Sequence, residues 1–343
     1  MKYALALGGG GARGAFEAGV WKKLCEMDKE IEAIAGTSVG AINGAVFLSG
    51  ICDEEIWKNI RAEDILPGIK EENILSPALL KEYAGQLING GIDMGPIKKI
   101  ISRFVSEKNI RSSNTEFGIC LYSVKEKRIK QLFKKDIPGG GMIDHITAAA
   151  SFPVFKNHVV YNEELTDGGI FNNLPADMLI RRGYKNIISV SAGGPGYEKS
   201  YFGRGVNIIR IKYKKPIQGV LEFNGDAAAR SIEIGKLECG RVFGEYCGEI
   251  FFIDSESYLR ALQRYGKDLI QETEKAAEIA GVEKYRECLF SELVDELMNK
   301  YVQNERLCKE VRRIERYSDQ LINGKKSDIF RAANAILYMK SHF

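Results

Sequence analysis

Short apolar runs near the start of the chain alternate with stretches that place an apolar residue every third or fourth position, and this alternation predicts the architecture. Lys2–Leu7 reads as a buried strand. It breaks on Gly8-Gly9-Gly10-Gly11-Ala12-Arg13-Gly14, after which Phe16, Val20, Leu24 and Met27 fall at helical spacing. A second apolar run, residues 32–35, leads into Gly36-Thr37-Ser38-Val39-Gly40 and then into the helical stretch 41–48. Strand, glycine loop, helix, strand, turn, helix is the order of a parallel sheet covered by helices.

Residues 53–111 carry helical patterns interrupted at Pro67, Pro77, Gly90-Gly91 and Pro96, and read as a helical insertion able to overhang the site. Residues 115–124 and Arg128–Phe133 read as paired strands around the charged turn Lys125-Glu126-Lys127. A short helix of small residues, 144–150, stops at Ser151-Phe152-Pro153. Two strand signals, 159–161 and 164–166, lead into Asp167-Gly168-Gly169, and Asn172-Asn173-Leu174-Pro175 stands at a helix start. Strands are expected at 186–190 and 206–211, a helix at 225–243, and a last strand-like run at 250–253. Beyond Asp254 the composition shifts to Leu, Glu, Lys and Arg at helical spacing, with no strong strand signal. The expected organisation is an α/β domain over 1–254 and a helical extension over 255–343. In that extension Leu289, Leu293, Leu297 and Tyr301 recur four apart, a stripe that faces either a core or a partner or membrane.

Composition narrows the function. A 343-residue chain that is 45% hydrophobic and 28% charged is an ordinary globular protein with room for an appended unit. The net charge of +3 is small, and no Lys/Arg block stands free of acidic residues. Nucleic-acid binding is therefore unsupported, while a weak attraction to anionic surfaces stays open. No apolar run reaches the ~18 residues of a membrane span, and the apolar start is too short for a signal peptide. A cytoplasmic chain, at most peripheral at a membrane, is expected. The seven cysteines are odd in number and never spaced C-x-x-C, and the three histidines form no H-x-x-x-H pair, so reduced thiols and no metal site are expected.

Gly36-Thr37-Ser38-Val39-Gly40 is a G-x-S-x-G pentapeptide between a strand and a helix, where a serine hydroxyl is exposed with backbone N–H groups pointing the same way. Gly36 and Gly40 remove side chains that would clash at so sharp a turn, and Gly44 lets the helix approach the sheet. The glycine loop admits two uses. Gly9-x-Gly11-x-x-Gly14 matches a dinucleotide fingerprint, yet the second strand ends in Ala35-Gly36-Thr37-Ser38 and its acid, Glu32, stands at the beginning. The other use is an oxyanion hole, in which glycine amides face a tetrahedral intermediate. Neighbouring strands would bring Gly9–Gly11 and Ser38 together. Of the histidines, His145 and His158 precede Asp167 and only His342 follows it, so a Ser-Asp-His order finds no support. Asp167, on a glycine turn after a strand, is the candidate to act on the serine directly.

Taken in order, Gly9-Gly10-Gly11-Ala12-Arg13-Gly14, Gly36-Thr37-Ser38-Val39-Gly40 and Asp167-Gly168-Gly169 resemble the patatin-like phospholipases, as do Ala149-Ala150-Ser151-Phe152-Pro153 and Asn172-Asn173-Leu174-Pro175. The resemblance covers about residues 1–250. It implies a three-layer α/β/α domain with a mainly parallel central sheet. It also implies Ser38 as acyl-forming nucleophile, Asp167 as general base, and Gly9, Gly10 and Gly11 with Arg13 as the oxyanion region. Gly36 and Gly40 would support the nucleophile turn, and Gly168 and Gly169 the base loop. The implied activity is hydrolysis of fatty-acyl esters of phospholipids or lysophospholipids at a lipid surface, with no metal or organic cofactor. Arg13 opens a helix at its positive end, an unfavourable place for a cation unless an anion faces it. The rival readings are a nucleotide-dependent oxidoreductase, a catalytically silent or partner-activated lipid-binding protein of the same fold, and an interaction role for the helical extension.

Overall fold

Five parallel strands form the centre of the main sheet in the computed structural model, which describes residues 1–51, 54–65, 77, 81, 89–200, 205–317 and 327–343. They are β1 (Lys2–Leu7), β2 (Glu30–Thr37), β3 (Glu116–Ser123), β7 (Asn186–Ser191) and β8 (Asn207–Lys212). Three antiparallel strands, β4 (Arg128–Phe133), β5 (His158–Val160) and β6 (Glu163–Asp167), extend the sheet beyond β3. The order is β5-β6-β3-β2-β1-β7-β8, with β4 also pairing with β3. The parallel register of β1 with β2, running from Lys2 opposite Glu30 to Leu7 opposite Gly36, puts the ends of both strands side by side. The glycine loop after β1 and the Ser38 turn after β2 therefore emerge at the same edge.

The two faces of the sheet differ. One presents Ala4, Ala6, Ala33, Ala35 and Cys120 to Leu174, Met178 and Leu179, so that the helix Ala176–Arg181 packs on a floor of small residues. The other presents larger side chains to α2 (Val39–Ser49), which approaches through Gly44. A Cβ there would stand 2.8 Å from Ile34 and 3.0 Å from Phe117. Helices on both faces give three layers, as the resemblance implied. On the outside, α1 (Ala15–Glu26) crosses the helix Gly225–Val242 with Gly19 against the carbonyl of Ile232 and Gly235 against that of Phe16.

The predicted insertion contributes the helices Glu54–Asn59, Ala62–Ile65, Gly95–Phe104 and Glu107–Ser112, while Pro67 lies outside the described residues. Pro96 does not break a helix. It sits in the first turn of Gly95–Phe104, where its missing N–H has no partner to lose. The glycine loop also holds a short 3₁₀ turn, Gly11–Gly14, that no periodicity announces.

The described residues form two compact units, Met1–Cys239 and Gly240–Phe343. The second has its own small sheet of Tyr246–Cys247, Phe252–Asp254 and Glu287–Cys288. Its core includes Phe251, Ile270, Leu293, Leu297 and Ile336. Leu293, Leu297 and Tyr301 are buried and Leu289 is exposed, so the four-spaced stripe faces this core. The strand Glu287–Cys288 is too short to leave a period in the sequence. Cys120, Cys239 and Cys288 are buried, while Cys52 lies outside the described residues. No helix among the described residues is long and apolar enough to cross a membrane.

Candidate active site

Ser38 is held in a backbone conformation that serine rarely adopts, φ 55° and ψ −128°, between the end of β2 and the start of α2. The turn closes only because its neighbours lack side chains. A Cβ on Gly36 would run into the carbonyl of Gly40, and one on Gly40 would stand 2.5 Å from the carbonyl oxygen of Leu7. The serine is thus presented at the positive end of α2, in a position that over-determined packing maintains.

Asp167 is the last residue of β6, and it lines the same cavity as Ser38, whose hydroxyl helps to hold its carboxylate ionised. The backbone N–H of Gly169 donates to its Oδ1 at 2.7 Å. The carboxylate is buried, and burial pushes its pKa up to about 6 against the opposing pull of the Ser38 hydroxyl and the Gly169 N–H. At neutral pH the group is still mostly ionised, yet far more basic than an exposed aspartate. Ser151 steadies the strand from beneath, its carbonyl accepting from Thr166 Oγ1 at 2.8 Å and from the Asp167 N–H at 3.4 Å. Gly168 is packed on Cys120, with room for no Cβ beyond 3.0 Å. None of the histidines lines the cavity at this site. His145 Nδ1 is 2.7 Å from the Gly141 carbonyl and His158 Nε2 is 2.9 Å from Asp144, so both serve the periphery of the sheet.

The glycine loop lies against Ser38, with a Cβ on Gly9 only 3.1 Å from that of the serine. Its three amides are not equivalent. Gly9 N–H donates to the Asn173 carbonyl at 3.0 Å and is spent on the fold. Those of Gly10 and Gly11, which line the same cavity as Ser38, take no partner among the described residues. The Gly9 amide counted in the expected oxyanion region is thus already engaged, which leaves those of Gly10 and Gly11. Gly11 has φ 55° and packs on the Val220 carbonyl, and Gly14 packs on Val39 and Trp57. These glycines serve close packing of the loop rather than a cradle for a pyrophosphate. Arg13 is a brace: its Nε donates to the Gln218 carbonyl at 2.8 Å and its Nη1 to that of Gly193. It does not line the cavity.

Two further features, the Asn172-Asn173 pair and a buried acid, complete the site. Asn172 takes the Thr37 hydroxyl on its carbonyl at 3.0 Å, and Asn173 holds the glycine loop through its carbonyl and through Nδ2, 3.3 Å from the Gly9 carbonyl. Their signal was the Asn-Asn pair before Pro175. The second is Glu17, wholly buried behind the loop. Asn43 Nδ2 donates to Glu17 Oε2 at 2.8 Å and to the Gly14 carbonyl at 3.0 Å, and Trp57 Nε1 donates to Asn43 Oδ1 at 3.2 Å. Glu17 Oε1 has no partner among the described residues. Its only sequence signal is an acid inside the run Ala15-Phe16-Glu17-Ala18-Gly19-Val20.

Burial raises the Glu17 pKa to about 8, so it is largely protonated at neutral pH. A raised folded-state value means that its favourable contribution is complete below about pH 4.5 and is lost as pH rises through about 8. Glu17→Gln, neutral at every pH, is expected to unfold later than the parent at pH 8–9, by on the order of a few kcal/mol. The two should converge near pH 4–5. Denaturant titrations at both pH values check this, and a gap that does not change with pH would mean that Glu17 ionises freely in place.

Ser38, Asp167 and the glycine loop open on one apolar cavity. Its walls are apolar, built by Val46 of α2, by Trp57, Ile60, Ile97 and Ile101 of the insertion, and by Phe152 and Phe155. The insertion thus walls the site it was expected to overhang. A half-buried hydroxyl beside a basic carboxylate, two unspent amides next to it and an apolar cavity can together place an ester carbonyl, attack it, and shelter a hydrocarbon chain.

The family model of the patatin-like phospholipases matches residues 5–180, just over half of the chain. Patatin-like phospholipase domain-containing protein 7 of Rattus norvegicus is 26% identical over 199 residues, which cover 55% of this chain and 13% of that protein. An uncharacterized NTE family protein of Mycobacterium tuberculosis is 28% identical over 196 residues, 56% of this chain and 49% of that protein. The chain thus matches half or less of the length of either relative. Among solved structures, VipD of Legionella pneumophila aligns over 99% of this chain and 92% of its own at 11% identity and a TM-score of 0.41, a likeness too loose to bear on function.

Proposed function

Because the chain belongs to the patatin-like phospholipase family, we propose that it is a lipid acyl hydrolase that cleaves fatty-acyl esters of phospholipids or lysophospholipids through Ser38 and Asp167. The observation that carries this reading is the pairing, on one apolar cavity, of the Ser38 hydroxyl with a buried, raised-pKa Asp167 that it helps to keep ionised. Asp167 accepts the hydroxyl proton as Ser38 Oγ attacks the ester carbonyl, and the developing oxyanion is met by the Gly10 and Gly11 amides at the positive end of the helices that follow. The alcohol or lysolipid leaves with the proton returned from Asp167, giving an acyl-serine. Water, activated by the same carboxylate, then releases the fatty acid and restores Ser38. The acyl chain occupies the cavity. All the required groups come from the chain itself. The protein is expected to work at a lipid surface from the cytoplasm.

Incubation with a fluorophosphonate and with phosphatidylcholine vesicles tests the proposal. Covalent labelling mapped to the peptide containing Ser38, together with fatty-acid release, is the expected result. Vesicle binding with neither labelling nor release would replace it with a silent lipid-binding protein of the same fold.

A further inference from the structure

Large apolar side chains are left in solvent at the mouth of the cavity. Ile170 is 52% exposed, Phe171 45% and Tyr197 62%. Two backbone hydrogen bonds make these residues one surface, since Tyr197 N–H donates to the Ile170 carbonyl at 3.2 Å and Asn173 N–H to the Tyr197 carbonyl at 2.8 Å. Pro195 is exposed between them, and both Ile170 and Pro195 also line the cavity. Apolar surface thus runs without a break from the cavity to its outer rim. Phe171 is held rather than free, its ring stacked on Tyr122 with centroids 4.6 Å apart and planes 18° apart. An ordered, exposed apolar patch is unusual for a surface that meets only water.

Positive charge flanks the patch. The loop bearing Gly193 to Tyr197 runs beside the segment after β8, since a Cβ on Gly193 would lie 3.4 Å from Pro216 and 3.6 Å from the Tyr213 carbonyl. Lys212, the last residue of β8, and Lys214 and Lys215 in that segment are exposed, and no acid occurs between Gly205 and Leu221. The acid next to Tyr197, Glu198, is engaged by the Ser191 hydroxyl at 2.5 Å.

We propose that Ile170, Phe171, Pro195 and Tyr197 form a docking rim that seats the cavity mouth on an anionic lipid surface, with Lys212 and Lys214 contacting the headgroups. The proposal rests on the acyl-hydrolase reading for the orientation of the mouth. Its occupant follows from continuity: a chain drawn from a bilayer passes from lipid over apolar rim to apolar cavity without crossing water, and the flanking lysines select negative headgroups.

The test uses the full chain and vesicles of phosphatidylcholine alone or mixed with phosphatidylglycerol. Cosedimentation of the parent should favour the anionic vesicles. The double variant Phe171→Ser, Tyr197→Ser should bind both kinds at least tenfold more weakly, and Lys212→Glu, Lys214→Glu should lose the preference for phosphatidylglycerol. Neither pair touches the cavity, so both should hydrolyse a soluble short-chain ester at the parent rate. Vesicle binding unchanged in the apolar double variant, with that esterase activity intact, overturns the docking rim. A parent that is dimeric in light scattering and becomes monomeric in that variant overturns it in favour of a contact between copies. Rim-dependent vesicle binding by a protein with no esterase activity would instead leave the rim standing and remove the hydrolase reading.

Discussion

Ser38→Ala is expected to lose about 10⁴–10⁶-fold of ester hydrolysis while folding as the parent does. The size follows from what remains. The Gly10 and Gly11 amides and the cavity still bind and polarise an ester, but no group is left that can form the acyl intermediate. The fold should be indifferent, because alanine carries the same Cβ through the turn at φ 55° and the space around Ser38 is defined by Gly36 and Gly40. Turnover of a short ester, fluorophosphonate labelling and a melting curve together decide the matter. More than a few percent of parental turnover in a folded variant would place the nucleophile elsewhere.

Asp167→Asn separates activity from stability. With no base for the Ser38 hydroxyl, turnover should fall by about 10⁴-fold, the scale seen when a triad aspartate is made neutral. Stability should move the other way. The Asp167 pKa is raised from 3.8 to about 6 by burial, so its contribution to stability is full below about pH 3.8 and is lost as pH rises through about 6. At pH 7–8 the parent carries that whole penalty, on the order of 2–3 kcal/mol, and the asparagine variant does not. The variant should therefore melt several degrees higher at pH 8, with the difference shrinking toward pH 4. The parent's kcat/KM should rise from pH 5 to pH 7 along a limb centred near pH 6. A variant that is inactive and less stable at pH 8 would make Asp167 a structural residue, and full activity would move the base elsewhere.

How much of this was legible in the sequence depended on whether a constraint was local. The β-α-β-α beginning and the helix-covered parallel sheet follow from periodicity within a few residues, while the three layers rested on the family resemblance. The Ser38 turn shows itself because a sharp strand-to-helix turn excludes side chains at two fixed positions, leaving Gly36 and Gly40 as its mark. Asp167 on its glycine turn is legible for the same reason. The division of labour in the glycine loop is not. Whether Gly9 or Gly10 has a free amide depends on Asn173, 164 positions away, and whether Arg13 faces an anion or braces the loop depends on Gly193 and Gln218. The first-turn argument for Arg13 was sound electrostatics, but carbonyl oxygens at 2.8 Å satisfy a guanidinium as an anion would. Glu17 escaped notice because apolar periodicity counts what repeats, and a single buried acid does not repeat.

Arg13 and its partners also separate the length of chain that can be recognised from the length that can act. The family match ends at residue 180, after every group proposed to do chemistry. Yet the loop that bears the two unspent amides is tied at Gly8 to the Val190 carbonyl, at Ala12 to the Val220 carbonyl, and through Arg13 to Gly193 and Gln218. A boundary drawn where the resemblance stops would keep each reacting atom and discard the frame that aims them. In this chain, kinship is written in the first half, and competence is completed by β7, β8 and the loops that follow them.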